Sequence, residues 1–233
     1  MTSEIEAAGA ARAAPGSAES GFYRLCAHVH ACIDHDTMVF LDLRRNRYWS
    51  VPLAYAPCIS GLSEHSNLSG GKTPKLVELG LIEPGCRVEA YRARARAPEA
   101  RVAFVASAKV SLGTQAAFWL ACARASHALA VKRLDRTFNT LASVRQNIGA
   151  PRLTASAAVS SFESLRPWYP HKRICLFDAL ALSFFLSSQH IASELVIGVR
   201  ASPFAAHCWV ETGGALAGDM SDHCASFTPI AWV

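Results

Sequence analysis

The clearest pattern of apolar and polar positions lies in the last third of the chain. Apolar residues recur at helical spacing over 176–184, and Pro170 lies a few residues upstream, which predicts a helix with Cys175 in its first turn. Residues 195–199 are β-branched and apolar, and residues 206–212 alternate, so each segment predicts a strand. The pattern indicates a helix packed on an antiparallel sheet.

The first third of the chain has a different pattern, dominated by short strands and tight turns. Pro52 ends the last of these strands, and Gly80 follows the second of two short helical segments. The predicted strands are 28–33, 37–43 and 48–51, with turns at 34–36 and 44–46 and helices at 54–63 and 74–79.

A stretch rich in Ala, Arg and Pro separates these two patterns. Pro98 opposes a continuous helix through 92–100, which therefore reads as a linker. Long helical patterns follow at 112–133, 134–148 and 154–165, and their apolar faces are expected to pack against the helix and sheet of the last third.

Composition indicates the class of protein and its cellular compartment. The chain has 233 residues, a net charge of +5 and eight cysteines, and residues 1–20 read as a disordered tail rather than a signal peptide. No uninterrupted apolar run is long enough to cross a bilayer. We therefore expect a cytoplasmic protein with reduced thiols and no membrane association. The basic residues near the linker favour an acidic partner without identifying one.

The candidate chemistry belongs to Cys175, His207 and Asp219. A thiolate is the reactive form of cysteine, and both a helix N-terminus and an adjacent imidazolium lower its pKa. An acid beside the histidine fixes the imidazole tautomer and stabilises its charged form. The layout predicts a cysteine nucleophile with its base and orienting acid, and Asp222 is the reserve candidate for the acid.

These residues resemble the B proteins of lasso-peptide biosynthesis, whose leader-peptidase half is a transglutaminase-like cysteine protease. Cys175 and His207 are 32 residues apart and Asp219 follows 12 residues later, spacings that fit that family. The motifs that carry the resemblance are Cys175-Leu176, Leu180-Ala181-Leu182, Leu195 to Arg200, and Phe204 to Glu211. Cys208 departs from the small residue usual in the family. On a strand it should point away from His207 and leave the chemistry untouched.

The first third is similar to the small PqqD-like domains that recognise leader peptides. The motifs are Phe40-Leu41-Asp42-Leu43, Tyr48-Trp49-Ser50-Val51 and Gly80-Leu81-Ile82. The resemblance implies that Phe40, Leu41, Leu43, Tyr48 and Trp49 bind the leader, by strand addition to an exposed sheet edge.

The expected fold class is thus α+β, with a winged-helix-like (PqqD-like) module followed by a transglutaminase/papain-like cysteine protease domain. The expected divisions are a tail at 1–20, the recognition element at 21–92, a linker at 93–101 and the peptidase at 102–233.

The family resemblance implies a function for the whole chain. Cys175 would cleave a ribosomally made precursor at the leader–core junction, with its own backbone N–H helping to hold the oxyanion. A separate asparagine-synthetase-like cyclase would then close the lasso ring. No cofactor is evident, because Gly70-Gly71-Lys72 is too short for a phosphate loop, and an ATP requirement could enter through the cyclase.

Two other functions are compatible with parts of the sequence. A transglutaminase or amide-forming acyltransferase would use the same three residues with an amine in place of water. A non-enzymatic winged-helix protein would bind peptide or nucleic acid, but the positive charge lies in the linker rather than on a recognition helix, so no nucleic-acid partner is expected.

Several side chains have a simpler structural interpretation. Cys175 alone could be an inert buried thiol. Asp178 suits the helix N-terminus, Trp209 suits the core or a wall behind His207, and His223-Cys224 are expected to close the last strand. His28, His30 and Cys32 alternate along one strand face, with His35 just beyond, as metal ligands would, but such residues more often form a solvated strand face.

Strand geometry gives one sharper expectation. A two-residue turn at Gly213-Gly214 would place Asp219 opposite Cys208 and on the wrong face for His207. A three-residue loop would cure this, so we expect an odd-length loop or a bulge between Glu211 and Gly218.

Overall fold

The fold combines a strand-rich N-terminal half with a C-terminal half built of helices on a four-stranded sheet. The computed structural model describes residues 23–56, 59, 72–84, 94, 96–105, 110–146, 149–170 and 172–233. The N-terminal elements are β1 (Tyr23–Leu25), β2 (Val29–Asp34), β3 (Thr37–Asp42), β4 (Arg47–Pro52), α1 (Thr73–Glu78) and β5 (Ile82–Pro84). The C-terminal elements are α2 (Leu112–Val131), α3 (Leu134–Gln146), α4 (Ala155–Leu165), α5 (Cys175–Ser188), β6 (Glu194–Arg200), β7 (Ala205–Thr212), β8 (Ala215–Ala217), α6 (Ser221–Ala225) and β9 (Thr228–Trp232).

The N-terminal half is a meander. Strands β2, β3 and β4 pair antiparallel in that order, and β1 pairs with β5. His35 and Asn46 adopt positive φ in the two tight turns, and Gly80 does so after α1, as expected of a helix stop. The three predicted strands are confirmed. Most of the helix predicted at 54–63 lies outside the described residues. At its start the structure has a 3-10 turn, Leu53–Tyr55. The predicted tail at 1–20 lies outside them.

Two helices of the C-terminal half begin at side-chain caps, and a sharp break separates one of them from the next helix. Ser111 accepts a hydrogen bond from the backbone N–H of Thr114 at the start of α2, and Thr154 caps α4 in the same way. Lys132 takes a left-handed conformation that separates α2 from α3. The predicted helices therefore end within a few residues of their observed bounds.

The C-terminal sheet has the order β8-β7-β6-β9, and every pair is antiparallel. Helix α5 covers one face and packs against alternate residues of β6 and β7, including Cys208 and Val210. The opposite face carries Trp209, which packs with Phe227 and Cys224 in a separate cluster. The predicted α+β architecture, with a helix on an antiparallel sheet, is confirmed. The PqqD-like identity of the first half stays a prediction.

The two halves share one hydrophobic core. One face of the β2-β3-β4 sheet contributes Cys32, Val39, Leu41 and Leu43 to the cluster that surrounds α5. The buried Asp34 carboxylate accepts hydrogen bonds from the Ala201 backbone N–H and the Thr228 hydroxyl, both at 2.7 Å.

The segment between the halves also packs on the C-terminal sheet. Arg94 forms ion pairs with Glu194 and Glu211, each at 2.6 Å. Residues 100–102 run beside β8, where Leu216 donates to the Ala100 carbonyl and accepts from the Val102 backbone N–H. The domain divisions proposed from the sequence stay predictions, but the described part of the linker is held against the sheet.

The shared core corrects the expectation for the proposed metal face of β2. Cys32 is buried in the core and His30 lies 6.3 Å, between ring centroids, from Phe138 of α3, so this face is packed rather than solvated. His28 and His30 line a cavity of about 380 Å³ with residues of α3 and the chain end. Among the described residues these side chains do not gather into a group of three metal ligands.

Burial also refines the predicted leader-binding residues. Phe40, Leu41 and Leu43 are 0%, 0% and 3% exposed, because they lie on or directly after β3, the central strand, and both of its faces are covered. Their side chains cannot touch a bound peptide in this structure. Tyr48 and Trp49 lie on β4, one of the two outer strands, and are only partly buried.

In the described part of the chain, no helix combines the length and apolar character needed to span a bilayer.

Candidate active site

Cys175 is the first residue of α5, which begins without a side-chain cap. The N–H groups of its first turn are therefore not occupied by a capping side chain, and the positive end of the helix dipole lies at the thiol. Arg166 holds the segment that precedes this helix against the helix itself. It is 2% exposed, binds the Asp178 carboxylate, donates to the carbonyls of Tyr169 and Lys172, and stacks on Phe177.

His207 and Asp219 form the second contact of the site. His207 Nε2 lies 2.7 Å from Asp219 Oδ2, and the Met220 backbone N–H donates to the other carboxylate oxygen, also at 2.7 Å. With Nε2 engaged by Asp219, Nδ1 is the ring nitrogen left for the Cys175 thiol, which is hydrogen-bonded to His207. The structure thus brings together the three residues predicted from the sequence, hereafter the triad (Cys175, His207 and Asp219).

The connection to Asp219 corrects the predicted loop. Thr212 pairs with Ala215, so β7 and β8 are joined by a regular two-residue turn in which Gly213 and Gly214 both have positive φ. The prediction of a longer loop or bulge was wrong. Its conclusion that such a turn would remove Asp219 was also wrong, because the pairing stops at Ala217. Gly218, at φ +75°, then turns the backbone and releases Asp219 from the sheet register.

The charges of Cys175 and His207 follow from these contacts. Hydrogen bonds from the Cys208 thiol and His207 outweigh burial and lower the pKa of Cys175 to about 4. Burial disfavours the imidazolium, but hydrogen bonds to Asp219 and Cys175 raise the pKa of His207 to about 11. Asp219 stays ionised, since the His207 hydrogen bond lowers its pKa against the effect of burial. Near neutral pH the site holds a thiolate beside an imidazolium.

Cys208 takes part in this site, contrary to the sequence expectation. Strand alternation does turn its side chain away from the face of His207, but that turn directs it toward α5 and the nucleophile. Its thiol and its backbone N–H are both hydrogen-bonded to Cys175. The contact with Cys175 and complete burial raise the pKa of Cys208 well above its usual value. Cys208 is therefore a neutral donor to the thiolate.

Cys224 is a second neighbour that the sequence did not reveal. Residues His223 and Cys224 lie in α6, not in the last strand as predicted, and α6 carries Cys224 back beneath the triad. The Cys224 thiol is hydrogen-bonded to His207 and Asp219, and the His223 ring lies 4.4 Å from the His207 ring. A short helix after Asp219 could be recognised only by its position in the fold, because its five residues carry no clear periodicity.

The remaining predicted residues have structural roles. Trp209 is buried and lies parallel to His207 at 6.1 Å between ring centroids, as the wall behind the imidazole. Gly198, paired with His207, makes room for that ring, because an added Cβ would lie 2.6 Å from Trp209 Cζ3. Asp178 pairs with Arg166, and the exposed Asp222 is not the acid that His207 contacts.

Comparison with known proteins agrees with this architecture. The Microcin J25-processing protein McjB of Escherichia coli is 48% identical over 48 residues, which are 21% of this chain and 23% of McjB. The matched segment thus spans less than a quarter of that relative, and the resemblance to lasso-peptide B proteins is confirmed by it. No solved structure matches the chain. A model of the transglutaminase-like superfamily matches residues 116–232, half of the chain and all three triad residues. The chain therefore belongs to the transglutaminase-like superfamily.

Proposed function

We propose that this protein is a cysteine peptidase that removes the leader from a lasso-peptide precursor. The observation that carries the proposal is the continuous line of thiol, imidazole and carboxylate at the start of α5, within a transglutaminase-like domain. The match to a microcin-processing protein supports a ribosomally made peptide as the substrate.

The chemistry follows from the charges of the triad. The Cys175 thiolate attacks the scissile carbonyl carbon, and the oxyanion that forms is stabilised by the Cys175 backbone N–H at the uncapped helix start. The His207 imidazolium donates its proton to the leaving amine, which departs as the new N-terminus of the core. His207 then takes a proton from water as the water attacks the thioester, which frees the leader carboxylate and restores the thiolate.

Leader capture is assigned to β4. This strand pairs with β3 on one side, and among the described residues no strand pairs with its other side. Trp49 Nε1 on β4 is buried and lacks a hydrogen-bond partner in the described part of the protein. A peptide added as a further strand would bond to the backbone of β4, and a shift of the partly buried Trp49 ring on binding would bring this donor to a peptide carbonyl. Tyr48, the neighbouring residue, faces the shared core and contacts Phe204, three residues before His207.

The catalytic assignment is tested by incubating precursor with variants and measuring products by mass spectrometry. Cys175→Ala and His207→Ala should each abolish leader removal, whereas Asp219→Ala should retain some activity because it removes orientation rather than nucleophile or base. Complete cleavage by Cys175→Ala would refute the proposal. A product heavier by an added amine in place of water would instead identify an acyltransferase.

Leader capture is tested with full-length Cys175→Ala protein and a labelled leader peptide, followed by fluorescence polarisation. Trp49→Phe keeps an aromatic ring but removes the N–H donor, and should weaken binding about threefold to tenfold. Trp168→Phe is the matched control, since Trp168 is exposed in the catalytic half. Equal affinities of the two variants would remove the Trp49 N–H from the assignment.

The freed core amine is the substrate that a ring-closing enzyme requires. We assign that step to an asparagine-synthetase-like cyclase acting as a separate partner, and any ATP requirement to that partner. Leader removal by the purified protein, measured with and without cyclase and ATP, tests this division of labour.

A further inference from the structure

Three different metal-binding groups meet behind the nucleophile. One ligand atom each from His207, Asp219 and Cys224 lies within 4.8 Å of the other two. The group draws on β7, the turn after β8 and α6, so its residues are separate in sequence and come together only through the fold. Cys224 is 0% exposed, and its side chain is directed at the imidazole and carboxylate.

The chemistry of this group suits zinc better than other common ions. A thiolate, an imidazole and a carboxylate are the three ligand types that Zn²⁺ takes in proteins, and a soft thiolate disfavours Mg²⁺ or Ca²⁺. Tetrahedral coordination at ordinary bond lengths needs ligand atoms about 3.4 to 3.7 Å apart. His207 and Asp219, now at 2.7 Å, would separate by about 0.7 Å while Cys224 approaches.

We propose that His207, Asp219 and Cys224 form a zinc site in which the metal and the active triad exclude each other. Zn²⁺ would bind Nε2 of His207, an Asp219 oxygen and the Cys224 sulfur, leaving a fourth position for water. Binding displaces two protons, one from the Cys224 thiol and one from Nε2 of the imidazolium. The His207 ring keeps its Nδ1 proton.

The consequence rests on the proposed peptidase function. A metal between Nε2 and Asp219 takes the place of the hydrogen bond that orients His207, so the ring loses the contact that holds it for proton transfer to the leaving amine. Zinc would therefore hold the enzyme inactive while Cys175 itself remains unmodified, and a chelator would restore activity.

The site is tested directly by titrating the full-length protein with Co²⁺, a spectroscopic substitute for Zn²⁺, without any substrate. We expect one equivalent to bind, with the absorption of a tetrahedral ion and a thiolate-to-metal charge-transfer band. Cys224→Ser should lose that band and weaken Co²⁺ binding at least tenfold. Asp219→Asn should weaken binding but keep the band, which provides a second variant should Cys224→Ser fold poorly. Zn²⁺ should displace Co²⁺ stoichiometrically.

Two further variants locate the thiolate. Cys175→Ala should keep the charge-transfer band, and so should Cys122→Ser, which alters a buried thiol of α2 in the same chain. A band that disappears in Cys175→Ala and persists in Cys224→Ser would place the metal on the nucleophile and overturn the proposal. Absence of stoichiometric binding to the unmodified protein would also overturn it. Neither result bears on leader cleavage, which is measured separately.

Discussion

The position of Asp219 depends on Gly218, and Gly218→Ala tests that dependence. Gly218 has φ +75°, where an L residue costs about 1–2 kcal/mol of stability. An added Cβ would also lie 2.7 Å from Glu163 Oε1 of α4, so either that carboxylate or the turn has to move. Movement of the turn would lengthen the contact between His207 and Asp219.

The expected loss of activity can be derived from that contact. A hydrogen bond to a charged group contributes about 1.5–3 kcal/mol, and each 1.4 kcal/mol corresponds to a factor of ten. Weakening the His207–Asp219 bond should therefore lower kcat for leader cleavage by about tenfold to a hundredfold. The substitution should also lower the free energy of unfolding by about 1–2 kcal/mol, measured by urea denaturation.

Gly214→Ala is the matched control. Gly214 has φ +76° in the turn between β7 and β8, but an added Cβ meets nothing within 4 Å. It should lose similar stability while keeping near-normal kcat, since it lies away from Asp219. Equal kcat values for the two variants would refute the claim that Gly218 places the acid.

Three further outcomes are expected from the contacts of the nucleophile. Alkylation of Cys175 by iodoacetamide should stay fast as the pH falls from 8 and should slow only as the pH falls through about 4. The reason is that the depressed pKa of Cys175 keeps the thiolate charged above that value. Loss of reactivity near neutral pH would contradict the thiolate–imidazolium ion pair. Cys208→Ala should raise the pKa of Cys175 in the same assay and Cys208→Ser should largely restore it, whereas unchanged profiles would show that the Cys208 thiol donates nothing. Arg166→Leu leaves the Asp178 carboxylate without its buried partner and should lower the free energy of unfolding in urea by about 3–5 kcal/mol. The double variant with Asp178→Leu should recover part of that loss. A loss under about 1 kcal/mol in the single variant would mean that the pair does not anchor α5.

The sequence predicted the elements that carry strong periodicity. Helix α5 and strands β6 and β7 were placed closely, because an apolar helix and alternating strands leave clear signals. The face of Cys208 was also predicted, yet its role was missed, since alternation fixes which side of a sheet a residue faces but not which helix covers that side. The path to Asp219 was mispredicted for a related reason: the register was extended past Ala217, where a single glycine ends the strand.

Long-range packing was beyond the reach of local patterns. Phe40 and Leu41 were candidates for ligand contact through the resemblance to leader-binding domains, but a motif does not show that its strand is covered on both faces. Likewise Cys224 and Arg166 acquire their roles only when α6 and the end of α4 reach the start of α5.

The strand-like run at residues 100–102 determines where this protein can be divided. It hydrogen-bonds to Leu216 and covers the outer side of β8, while Arg94 anchors the same segment to Glu194 and Glu211. A fragment that starts at Val102 would leave most of that edge bare, and uncovered edges promote association between chains. A split version of the protein should therefore be cut ahead of Arg94, so that the connecting segment stays with the C-terminal half as its outermost strand.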